Sequence, residues 1–268
     1  MTNINRHYSM IVALFAVLSL LTGCGGTQVL KEPQPVELKQ ALAETVDARV
    51  TATLDWVIVR DGPGTWARNA DWDEYLLRVR NHSDRTLSIV EITVIDSLQT
   101  RVGLRSGRKQ LVKGSRATAR RYRDSGLQVK AGQGAATMIV AGTAATAVGV
   151  ASAYAAAYGA ILSGSSVGAA GTVASGLIVL GPVLAVGGII RGANNSAVNT
   201  EIEKRQTILP LDVPPGQELS LDVFFPLAPS PVMIELVYAD DAGRRHTVTI
   251  DTRAVLDGLH FEETVEQT

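Results

Sequence analysis

"GSSVGAAGTVASG", residues 164–176, satisfies two unrelated patterns, and the choice between them decides what the middle of this chain can be. Taken as G-x-S-x-G, Gly164 to Gly168 would be a nucleophile elbow, with Ser166 as the attacking hydroxyl of a hydrolase. Taken as G-x-x-x-G, the same residues form a helix-packing face inside a membrane or an oligomer. An elbow needs a strand running into the turn, and a histidine and a carboxylate brought near by the fold. Upstream of Ser166 stands an alanine-rich pattern of helical type, and the nearest charges are Lys130 and Arg191. The histidines, His7, His82, His246 and His260, fall in the leader, a turn, a terminal strand and the tail, so nothing supports a triad. The packing reading is preferred, and no catalytic residue is assigned.

Working outward, Ala131 to Ile190 holds no charged residue. The block is long enough for two helices of membrane-spanning length, each needing about 20 residues, with "LSGSS" as the break. Gly164, Gly168, Thr172 and Gly176 recur at intervals of four, followed by Gly188 and Gly192, and such ridges let helix backbones approach closely. The first arm relies on Ile139, Val140, Val148, Val150, Ile161 and Leu162, together worth roughly −2 to −4 kcal/mol of insertion free energy. That is marginal for stopping in an inner membrane and suits a segment bound for the outer one. "KAGQGAAT" places Gly132 and Gly134 as a dinucleotide-binding turn would, but Thr137 replaces the third glycine and no acid follows until Glu201. It reads as the approach to the helical hairpin, and no cofactor or metal is expected.

At the other end, "IVALFAVLSLLTG" is an apolar run of export-signal length, too short to span a bilayer comfortably. It ends in "LLTGC", where Leu21, Thr22 and Gly23 precede Cys24, the only cysteine. This stretch resembles the lipobox of bacterial lipoproteins. The resemblance implies diacylglyceryl attachment to the Cys24 sulfur, cleavage before it and acylation of the new amino terminus. More than one acyl chain makes anchoring stable. Gly25, rather than aspartate, after the cysteine implies transfer to the outer membrane. In arrangement the chain is also similar to the surface-exclusion lipoproteins of conjugative plasmids, which combine a lipobox with a glycine-rich apolar insertion.

Strand patterns flank the uncharged block. "RVTATLDWVIVR" puts Val50, Ala52, Leu54, Trp56 and Ile58 on one face, and "EYLLRVRN" puts Tyr75, Leu77 and Val79 opposite Arg78 and Arg80. "LSIVEITVID" follows a short polar turn, so the two runs read as a hairpin. Beyond the block, "ELSLDVFF" directs Leu219, Leu221, Val223 and Phe225 inward, and "PVMIELVYA" and "RRHTVTID" complete a second group of antiparallel strands. The expected class is α+β: an immunoglobulin-like antiparallel β-sandwich interrupted by a long glycine- and alanine-rich helical hairpin. The expected organisation is a signal at 1–23, a lipidated tether at 24–45, half a sandwich with a basic segment at 46–130, the hairpin at 131–192, the second half at 193–252 and a loosely held acidic tail at 253–268.

Overall charge is near neutral, at −1. Between Arg101 and Lys130, however, ten basic residues face one acid, Asp124. As a structural feature this run is a solvated loop or a charged strand face. As a functional one it contacts anionic head groups, through Arg116, Arg120, Arg121, Arg123 and Lys130. Nucleic acid is disfavoured because Tyr122 is the only interleaved aromatic. The expected protein is a non-enzymatic, outer-membrane lipoprotein with a structural or interaction role, whose partners are membrane lipid and either copies of itself or an envelope complex. The alternative is a periplasmic lipid- or peptide-binding module with the hairpin packed on its own sandwich.

Overall fold

A computed structural model describes residues 26–33, 40–135 and 191–261. The strands are β1 (Gln28–Val29), β2 (Ala43–Val46), β3 (Val50–Ile58), β4 (Ala67–Arg68), β5 (Trp72–Asn81), β6 (Leu87–Ile95), β7 (Arg101–Gly103), β8 (Leu211–Val213), β9 (Glu218–Pro226), β10 (Met233–Ala239) and β11 (Arg245–Asp251). The helices are α1 (Arg108–Asp124), α2 (Arg191–Arg205) and α3 (Arg253–Leu256).

The strands form one four-stranded sheet in the order β2-β3-β5-β9, one five-stranded sheet in the order β11-β10-β6-β7 with β8 also on β6, and the short pair β1-β4. All pairings are antiparallel. β7 takes Thr93–Ile95 and β8 takes Leu87–Ile89, so the two short strands lie end to end along one edge of β6.

The expected α+β class is corrected. The described residues are mainly β, in three antiparallel sheets, helix is confined to segments of 17, 15 and 4 residues, and no long helical hairpin occurs among them. Residues 136–190, to which nearly all of that hairpin was assigned, lie outside the described residues. The main helix stands instead in the basic run, which is neither loop nor strand. Its Leu111, Ser115, Thr118 and Tyr122 are buried at helical spacing, a stripe hidden in the sequence because two of its members are polar.

Alternation holds where only one face of a strand is covered. In β10 and β11, Ile234, Leu236, Tyr238, Val248 and Ile250 are buried between exposed or half-exposed neighbours. It fails in the first part of β5, where Trp72, Asp73, Glu74, Tyr75, Leu76 and Leu77 are all buried. Tyr75 and Leu77 share one face of β5, and Tyr75 packs edge-on against Phe225 at 5.1 Å between ring centres. Trp72, Glu74 and Leu76 point the other way, beneath α1 and α2, whose Leu111, Val198 and Ile202 complete a second apolar layer. β3 is buried on both faces from Ala52 onward, and a bulge at Asp55 turns Trp56 and Ile58, expected on the face of Val50, Ala52 and Leu54, to the face of Leu76 and Glu74 instead.

The expected hairpin of β5 and β6 is also corrected, since the two strands belong to different sheets. Asn81 makes the crossover. Its buried amide donates to the carbonyls of Arg85 (2.7 Å) and Val213 (2.9 Å), and its Oδ1 accepts from the Ser83 amide, which turns the chain toward the second sheet. The stretch taken as a tether is partly bound into the body: Gln28 and Val29 pair with β4, and Ala43–Val46 edges β3. The tail likewise begins ordered, with Leu256, Leu259 and His260 buried.

Candidate functional site

Most of the residues singled out by the sequence lie outside the described residues: Leu21, Thr22, Gly23, Cys24, Gly164, Ser166, Gly168, Thr172, Gly176 and Gly188. Gly192 falls in the first turn of α2. The basic residues can be placed. Arg116, Arg120 and Arg123 are exposed on one side of α1, opposite its buried stripe. Arg121 is not with them. Its guanidinium sits 2.5 Å from the fully buried carboxylate of Asp96 and over the ring of Tyr122. Lys130 is exposed beyond the helix, with its backbone amide on the carbonyl of His260.

Two cations missed in the sequence complete that face. Lys109, Lys113, Arg116, Arg120 and Arg123 are spaced alternately four and three apart, the repeat of a single helical face, and all five are exposed. None of them makes an ion pair among the described residues. The spacing was available in the sequence, but it carries meaning only once the segment is known to be helical. α1 seats on β9 through Gly114, where an added Cβ would lie 2.5 Å from Pro226 Cγ. Ser115 fixes its rotation: the hydroxyl donates to the carbonyl of Asp71 and accepts from the Leu227 amide at 3.0 Å.

A buried polar cluster lies between the four-stranded sheet and α2. Glu74 accepts from Trp66 Nε1 at 2.7 Å and from Arg205 Nε at 2.8 Å, and the Arg205 guanidinium stacks 5.3 Å from the Trp66 ring centre. Burial and the charge of Glu74 raise the carboxyl of Asp222 to about 7, against the attraction of Arg205. Burial also lifts Glu201, against Arg205 and Lys204. A second group joins His260 Nε2 to Asp73 Oδ2 at 2.8 Å while His260 Nδ1 accepts from the Gly132 amide at 3.2 Å. This acceptor role fixes the neutral tautomer with its proton on Nε2. Burial, reinforced by the charge of Asp73, pushes the Tyr75 phenol well up.

Asp73 and His260 are sealed from solvent, and no nucleophile shares their hydrogen bonds. Beside Glu74 a shallow recess between Ile58, Trp66, Ala70 and Trp72 offers little space for a ligand. No group of three metal-ligating side chains occurs among the described residues. The Gly132 and Gly134 turn presses against the carbonyls of Arg60 and Gly258, so its glycines admit the chain's own backbone where a dinucleotide turn would admit a phosphate. Asn81, in the sequon-like "NHS", is fully buried and bonded.

The connections of the body converge. Ile58 of β3 pairs with Glu74, and Trp72 of β5 pairs with Pro226 of β9, which defines one end of the four-stranded sheet. At this end Thr27 bonds the carbonyl of Asn69, Gly132 packs on Arg60, and Tyr122 of α1 stacks 5.7 Å from Phe261. The residues just after Cys24 and those leading into the uncharged segment thus reach the same pole. No helix among the described residues is long and apolar enough to cross a membrane. Comparison with protein-family models, with curated proteins and with solved structures finds no match for the chain.

Proposed function

We propose that this chain is a non-enzymatic lipoprotein of the bacterial outer membrane, held by acyl groups on Cys24, with a structural or interaction role. The observation that carries this reading is "LLTGC" at the end of an export-type apolar run, with no second cysteine to offer a disulfide. Two further features support it. The uncharged stretch 131–190 gives a second region from which water is best excluded, by lipid or by copies of the chain. The pole shared by Thr27 and Gly132 lets both regions engage one surface without straddling the body.

The test is metabolic labelling with radioactive palmitate in a bacterial host, comparing the unaltered chain with Cys24→Ala. Label is expected in the unaltered chain, in the outer-membrane fraction, and none in the variant. An unlabelled parent, or label that survives Cys24→Ala, would refute the reading.

A further inference from the structure

We infer that the exposed face of α1 is a docking surface for the phosphate head groups of anionic lipids, formed by Lys109, Lys113, Arg116, Arg120 and Arg123. The inference rests on the lipoprotein reading for its setting and on the geometry of the helix for its substance. Five cations stand in one file over a rise of about 21 Å, at 1.5 Å per residue. The opposite side of the helix is anchored by Leu111, Ser115, Thr118 and Tyr122, so the file has a fixed direction. Elsewhere many exposed and half-exposed cations are paired, Arg85 with Asp241, Arg101 with Glu235, Arg253 with Asp251 and Arg121 with Asp96, while Arg68, Arg80, Arg105 and Arg245, which make no ion pair among the described residues, lie on separate segments. Among the described residues no carboxylate pairs with the α1 file, and Asp124 is the one acid on the helix. Like charges placed at consecutive i, i+3 and i+4 positions destabilise a helix unless a counter-charge arrives from outside.

The counter-charge is assigned to lipid on two grounds. The far end of α1 reaches the pole where Thr27 and Gly132 lead toward Cys24 and the uncharged segment, and Lys130 adds another exposed cation there. The face also lacks the exposed aromatic rings on which nucleic-acid bases stack, since Tyr122 is buried.

The experiment uses the full chain carrying Cys24→Ala, so that acyl groups play no part. Binding is measured to phosphatidylcholine vesicles with and without phosphatidylglycerol, at low and high salt, and to duplex DNA. The comparison variant replaces Lys109, Lys113, Arg116, Arg120 and Arg123 by Gln. A second variant exchanges Lys and Arg at these positions, keeping charge, and Arg121→Gln serves as an off-face control. The parent, the charge-conserving variant and Arg121→Gln are expected to prefer phosphatidylglycerol vesicles at low salt, with the preference lost at high salt. Each removed charge is expected to weaken that preference about fivefold. An undiminished preference in the Gln variant would overturn the inference, as would parent binding to duplex DNA in place of vesicles. Palmitate labelling reads the lipoprotein assignment separately, so retained label with no vesicle preference would refute the docking face alone.

Discussion

Asp222 shows what one half-buried carboxyl contributes. Held near 7 by burial and by Glu74, it keeps a proton in the folded chain that it loses near pH 4 in the unfolded chain. Folding therefore takes up a proton between these values. This contribution is fully present below about pH 4 and is lost as pH rises toward 7. Asp222→Asn is expected to melt with the parent near pH 4 and above it at pH 8, by about 1 to 3 kcal/mol once partial exposure is allowed for. Parallel melting curves across this range would contradict the assignment. Arg205 has the opposite role, as the cation that makes Glu74 tolerable. Arg205→Met should lower stability in urea by about 3 to 5 kcal/mol, because it leaves a buried charge unpaired. Neither role was legible in the sequence. Glu74 occupies a position that alternation assigns to solvent, and the element that covers it, α2, arrives more than a hundred residues later.

At the scale of elements, strand existence was legible and strand partnership was not. The inward positions Tyr75, Leu77 and Val79 of β5 and Leu221, Val223 and Phe225 of β9 are buried as their alternation predicts, while Leu219, also expected inward, is half-buried against the core. The pairing of β5 with β6 was misread because "HSDRT" has the composition of a hairpin turn, whereas the deciding feature is the buried amide of Asn81, which ties the turn to Val213. α1 was obscured by its own charge and by Ser115 and Thr118 in its buried stripe. The seat of this helix gives a sharp expectation. Gly114→Val must push α1 off Pro226 and should cost about 1 to 3 kcal/mol in urea unfolding, with the exposed Arg116→Gln nearly neutral in the same assay. Equal stability of Gly114→Val and the parent would show that the helix does not rest on β9 as described.

For the whole molecule, a three-layer body places Thr27 and Gly132 at one pole, with a charged helix on the outside and buried His260 bonded both to Asp73 and to the Gly132 amide. Composition already separated this body from the uncharged segment, since charge stops after Lys130 and resumes at Arg191. The common pole was not legible, because it depends on contacts between residues as distant as Gly132 and His260. The central proposal is that lipid or neighbouring copies keep water from residues 136–190. The most direct measurement is sedimentation of the full chain carrying Cys24→Ala, after a high-salt wash of the membranes and without detergent. The unlipidated chain is expected to remain with the membrane pellet or run as an assembly, and to become soluble when residues 136–190 are replaced by a short glycine–serine linker. A Cys24→Ala chain that is wholly soluble and monomeric with those residues in place would contradict it.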